Sequence, residues 1–190
     1  MKIREKLPEL VIESSMVVLA VVIALAVDEW RENQQQEELA DRALQVVIAE
    51  IEANRTELEN SLPANEALLE RVAEAAQAGG LDADFDLTFE YSLLSSSGWE
   101  TAQVTQATHF MPLEHVQRLA TLYGLQELVE RSQDRMLDFI LDVGTLARDD
   151  PDQIPTLVRG SLTNAVGMSG ILMDTYDRVL DEIEGEGSGS

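Results

Sequence analysis

The chain opens with an apolar run and then settles into helical periodicity that lasts almost to its end. Positions 10–27 hold a single charge, Glu13, and the stretch SSMVVLAVVIALAV (14–27) holds none. At about 1.5 Å per residue, the run predicts a helix of roughly 27 Å, close to the hydrocarbon thickness of a bilayer. Trp30 follows at a depth suited to the head groups, and Asp28, Glu29 and Arg31 mark an exit into water.

Beyond the run, Leu39, Ala43, Val46, Val47, Glu50 and Ile51 recur at spacings of three and four, which predicts that the helix continues. No Gly or Pro interrupts 11–62, and Pro63 is the expected stop. A second helix is expected to start with Asn65 as cap and to close at Gly79-Gly80, a pair suited to a left-handed C-terminal cap. The stretch 81–98 is the least regular. Its alternation of Leu87, Phe89 and Tyr91 permits a strand, but a strand without a partner is unstable, so a short helix over 87–94 is expected.

A short helix follows from Ser97 or Gly98, and a long one starts after Pro112 and carries Val116, Leu119, Leu122, Tyr123, Val129, Met136 and Phe139 to about Arg148. The acidic, proline-bearing turn DDPDQIP precedes a final helix over about 155–184. The fold class is therefore all-α: an N-terminal transmembrane helix running on into a juxtamembrane helix, and a bundle ending in a long antiparallel hairpin. The expected divisions are an N-terminus at 1–9, a span at 10–27, an acidic helical domain at 28–184 and a flexible tail, GEGSGS, at 185–190.

Charge sharpens this picture. The formal net charge is −23, and Lys2, Arg4 and Lys6 balance Glu5, Glu9 and Glu13, so the whole excess lies beyond the apolar run. Basic residues ahead of the span and acids behind it orient the N-terminus to the cytoplasm and the bulk to the periplasm of a bacterial inner membrane. A cleavable signal peptide is the rival reading of residues 1–26, weakened by Glu9, Glu13 and Pro8 and by the unbroken helix that follows. A surface this acidic repels phosphate backbones, which speaks against nucleic-acid binding. With no cysteine, disulfides and thiolate chemistry are excluded.

Candidate chemistry is sparse. His109 and His115, the only histidines, stand six apart across Pro112, and the di-iron pattern Glu-x-x-His does not occur. Gly160, Gly167 and Gly170 lack the strand and lysine of a phosphate loop and are expected to permit close helix packing. Ser95-Ser96-Ser97 has no neighbouring base and is expected to cap or turn. The expectation is a non-enzyme without metal or cofactor. Its candidate interaction or packing residues are Glu13, Trp30, Trp99 and Tyr123.

Two stretches carry a resemblance. VVLAVVIALAVDEWRENQQQEELADRALQVVIAEIEANRTEL and WETAQVTQATHFMPLEHVQRLATLYGLQ resemble a family of uncharacterised bacterial proteins with one N-terminal span, an Asp-x-Trp exit and a later Trp, Thr, Met-Pro and Leu-Ala-x-x-Tyr block. Asp28, Trp30, Trp99, Thr105, Met111, Pro112 and Tyr123 are the matching positions. The resemblance implies the topology and no activity. A membrane-bound scaffold or accessory subunit, partnered by the bilayer and by its own copies or another membrane protein, is the leading expectation. A periplasmic sensor holding a small molecule in the bundle is the alternative.

Overall fold

The computed structural model describes the backbone of residues 3–81, 84–149 and 153–187. Side chains are described from 16 to 183, apart from 17, 82–83 and 143–152, and at 185. The described residues are all-helical in their regular structure, with α1 (Ile3–Ala78), α2 (Ser97–Val104), α3 (Leu113–Asp149) and α4 (Ile154–Gly187), plus a 3-10 turn at Ala107–His109.

One heptad rule organises α1. Ala40, Leu44, Val47, Ile51, Asn54, Leu58, Ser61, Asn65, Leu68 and Val72 follow alternating steps of four and three, and each is buried or half-buried. A repeat of 3.5 residues keeps one face turned towards its neighbours along a long helix. The fully covered Ile51, Leu58 and Leu68 each contribute about 1.5–3 kcal/mol by leaving water. The helix does not stop at Pro63, as expected, but runs 76 residues to Ala78. Pro63 lies on the exposed side, where the carbonyl it leaves unserved can turn to water, while buried Ser61 and Asn65 hold the helix on either side.

Gly79 and Gly80 close α1 with φ of +120° and +132°, and the Gly80 N–H donates to the Ala75 carbonyl at 3.0 Å. The α3–α4 hairpin is antiparallel, as expected; its acidic connection, 150–152, lies outside the described residues. The upper cluster joins Leu68 and Val72 of α1 to Met136 of α3 and Val158 and Leu162 of α4. The lower cluster joins Ala40, Val47 and Leu58 to Leu119, Leu122, Leu172, Tyr176 and Ile183. So α3 runs parallel to α1, and α4 runs back between them. The α4 backbone packs along both, while the α1 and α3 backbones stand apart.

The gap between α1 and α3 is filled by residues 85–96, which are neither helix nor ladder-paired strand. The helix expected over 87–94 is absent because this segment finds partners of another kind, described below. Its alternation is real: Phe85, Leu87 and Phe89 turn inwards against the upper cluster, while Asp86, Thr88 and Glu90 face water.

Glycines on α4 do not serve close packing, contrary to expectation: a Cβ at Gly160, Gly167 or Gly170 would meet nothing within 4 Å. The expected span at 10–27 is not found either. Among the described residues no helix is long and apolar enough to cross a membrane. The described side chains of that stretch are Met16 and 18–27, eleven positions, short of the roughly 18–20 a span needs.

Candidate functional site

The face where α1, α2 and α3 meet gathers the polar groups of the fold, and Glu50 lies at its centre. The sequence places Glu50 in the apolar stripe beside Ile51, and the structure half-buries it against the start of α2. Its Oε2 accepts the Gly98 N–H at 2.8 Å, the Ser95 hydroxyl at 2.8 Å and the Ser97 hydroxyl at 3.1 Å. Its Oε1 accepts the Tyr123 hydroxyl at 2.7 Å and the Trp99 N–H at 3.3 Å. Four unserved N–H groups open any helix, and a carboxylate there also meets the positive end of the helix dipole. Ser96, at the cap position, turns its own hydroxyl to Glu100 at 2.8 Å instead, so α2 is capped from a different helix.

Burial pushes the Glu50 carboxyl up. The hydrogen bonds from Gly98, Tyr123, Ser95 and Trp99 outweigh that and hold it below the ordinary carboxylate range. The Tyr123 hydroxyl moves far up, through burial first and then through its bond to the Glu50 carboxylate. This site therefore holds a fixed anion and a phenol that does not ionise near neutrality.

Trp99 and Tyr123 stack in parallel, with ring centroids 5.6 Å apart and planes 4° from each other. Both are nearly covered, at 6% and 7% exposure. Of the four residues singled out by sequence, these two are brought together. Trp30 is 61% exposed on a part of α1 far from them, and the side chain of Glu13 lies outside the described residues.

Above Glu50 a ladder of side-chain amides holds 85–96 in place. The Asn65 amide closes a two-way pair with the Glu90 backbone, donating to its carbonyl and accepting its N–H at 2.8 Å each. Asn54 does the same for Ser95, at 2.7 Å to the carbonyl and 2.8 Å from the N–H. From α3, Gln133 accepts the Ser92 N–H at 2.7 Å, and Gln126 donates to the Ser95 carbonyl at 3.1 Å. A carboxamide carries the same donor and acceptor as a peptide group, so these residues replace the neighbouring strand that 85–96 lacks. The buried Tyr176 hydroxyl completes the network by donating to Gln126 at 2.8 Å. Burial, followed by the charge of Glu130, raises its pKa well above the ordinary phenol value.

The sequence signal for this network was polar residues in an apolar repeat: Glu50 between Val47 and Ile51, and Asn54, Ser61 and Asn65 within the same stripe. Outside, between α2 and α3, an open cleft of about 460 Å³ has Trp99 and Tyr123 at its base and Glu100, Glu127 and Glu130 on its walls. Among the described residues no three His, Cys, Asp or Glu side chains converge as metal ligands would. His109 is exposed and His115 buried, on opposite sides of Pro112. Comparison with protein-family models, with curated proteins and with solved structures finds no match.

Proposed function

We propose that the chain is a non-enzymatic helical scaffold or accessory subunit, held to a bilayer by the N-terminal part of α1, with the acidic bundle on the far side. In the bacterial reading its N-terminus is cytoplasmic and its bundle periplasmic. The observation that carries this is the state of α1 before the bundle. Met16, Leu19, Val22, Ile23, Leu25 and Val27 are each more than half exposed, all round a helix that carries no packed neighbour among the described residues. An all-round apolar helix needs burial in lipid or in another protein. The buried polar groups add a second support: Glu50, Asn54, Asn65 and Gln126 are spent on holding α2 and 85–96, which is structural work.

Alkaline extraction of membranes from cells that make the protein tests the anchor. Retention in the pellet is expected, with release into the supernatant when Leu19 and Ile23 are both changed to Glu. Release of the unaltered chain ends the reading.

The cleft over Trp99 and Tyr123 favours a second reading, a sensor for a small organic cation, since aromatic faces and carboxylates both attract such a charge. Titration with a quaternary ammonium compound, followed through Trp99 fluorescence in a Trp30→Phe background, should then saturate. A flat titration removes this alternative.

A further inference from the structure

The 3.5-residue stripe does not begin where the bundle does. Counting back from Ala40 in the same alternation reaches Glu37, Asn33, Trp30, Ala26 and Ile23, all exposed. Among the described residues, the face that packs inside the bundle thus continues, exposed, down to the apolar segment. Drift of a straight helix against this repeat is about 20° per heptad, so Trp30, Asn33 and Glu37, within one and a half heptads of Ala40, stay aligned with the packed face. The segment around them, DEWRENQQQEEL, is polar nearly all round and has few internal ties: Glu32 to Gln36 at 3.5 Å, and Glu38 to Arg42 at 3.1 Å. An isolated helix of that kind is marginal in water without a neighbour.

We infer that this face docks a helix of a second membrane protein, one that carries a basic residue opposite Glu37. The inference rests on the membrane reading above. Two features select the occupant. Continuity with the α1 stripe calls for a helix, because the same face already takes α4 at Ala40 and above. Charge then excludes a second copy: in a parallel pair, Glu37 would face Glu37 and Trp30 would face Trp30, a like-charge and a bulky contact at core positions. An arginine or lysine on a different chain satisfies Glu37, and Asn33 offers a polar contact one step below that fixes the register.

The chain has no cysteine, so single cysteines can carry a photo-crosslinker at chosen positions. Trp30, Asn33 and Glu37 are each changed to Cys on the face, and Asp28 and Gln35 on the opposite side, in the otherwise intact protein. All five lie outside the bundle core, and circular dichroism checks that the fold is kept. After illumination in the membranes of cells that make the protein, a discrete adduct is expected from the three face positions and not from the other two. With the crosslinker at Asn33, Glu37→Arg is expected to lower the adduct on the order of fivefold, and Glu37→Asp to keep it. An adduct of twice the chain mass identifies a second copy and overturns the inference. Equal labelling on both sides, or insensitivity to Glu37→Arg, overturns it too. Alkaline extraction of the same samples separates the two ideas: a retained protein without periodic adducts loses the partner helix and keeps the anchor.

Discussion

Glu50 of α1 accepts the Gly98 N–H at 2.8 Å, so α2 receives its N-terminal cap from a residue 48 positions upstream. Capping across helices ties the start of α2 to the middle of α1. Glu50→Ala removes one acceptor from five donors, including two helix-opening N–H groups, and should cost about 2 kcal/mol, a value kept low because the carboxylate is partly solvated. Glu50→Gln keeps one acceptor oxygen and should cost about half as much. Urea denaturation followed through Trp99 in a Trp30→Phe background measures both.

Acid should act through the same carboxylate. Its folded-state pKa is lowered from 4.5, so the unfolded chain binds the proton more readily. The stability Glu50 contributes is therefore complete above pH 4.5 and is lost as the pH falls through the lowered folded value. Wild-type stability should fall more steeply below pH 4.5 than that of Glu50→Gln. Tyr123→Phe removes one of the bonds that hold the carboxyl down, which should move the acid transition of Glu50 upwards and cost about 1 kcal/mol at neutral pH. Denaturation midpoints across pH 3–6 check the order of the three proteins.

The helical periods of α1, α3 and α4 were legible because apolar side chains at steps of three and four declare a buried face without reference to the rest of the chain. The Gly79-Gly80 stop was legible for a local reason as well, the positive φ that both adopt. Pro63 misled because the rule against proline inside helices is also local, and tertiary packing of Ser61, Asn65 and Leu68 on either side overrides it. The conformation of 85–96 was not legible, since its partners are the amides of Asn54 and Asn65 on α1 and of Gln126 and Gln133 on α3. Trp99 and Tyr123 stood out as aromatic residues, and Glu50 stood in the recurring stripe of α1, but nothing local to it points to the start of α2 or to Tyr123, which it joins only through the fold.

Those amides give a test in which hydrophobicity and hydrogen bonding point in opposite directions. Asn54→Leu and Asn65→Leu each perfect the apolar repeat of α1, which by itself favours stability. Asn65→Leu also strips both partners from the Glu90 backbone, and Asn54→Leu takes the acceptor of the Ser95 N–H and one of the two donors to its carbonyl, leaving Gln126. Losing two part-buried bonds should dominate, giving a net loss of about 2 kcal/mol. Hydrogen exchange should accelerate at the Ser95 amide in the first variant and at the Glu90 amide in the second. Stabilisation by either leucine would mean that the amides do not hold 85–96.

Two glycine-to-alanine changes should move stability in opposite directions. A Cβ at Gly98 would sit 3.2 Å from Glu50 Oε1 and 3.3 Å from Val46 Cγ1, displacing the carboxylate from the cap. Gly98→Ala should therefore destabilise by about 1 kcal/mol despite its helix preference. A Cβ at Gly160 meets nothing within 4 Å inside α4, so Gly160→Ala should stabilise by about 0.5–1 kcal/mol through helix propensity alone. Thermal melts of the two variants decide the signs.

The burial pattern of α1 predicts where the chain can be cut. Ala40 is the first covered residue of the stripe, and the described side chains before it are exposed except for a half-covered Gln36. Both core clusters draw their α1 residues from Ala40 onwards, and the cap at Glu50 and the amides at Asn54 and Asn65 lie beyond that point. Removing 1–39 therefore deletes no buried apolar contact made by a described side chain. The remaining chain should keep its cooperative unfolding, with a stability change within about 0.5 kcal/mol, while losing retention in the membrane pellet. If truncation instead melts the bundle, the N-terminal part of α1 is part of the folding unit, and its exposed apolar side chains are covered within the folded protein.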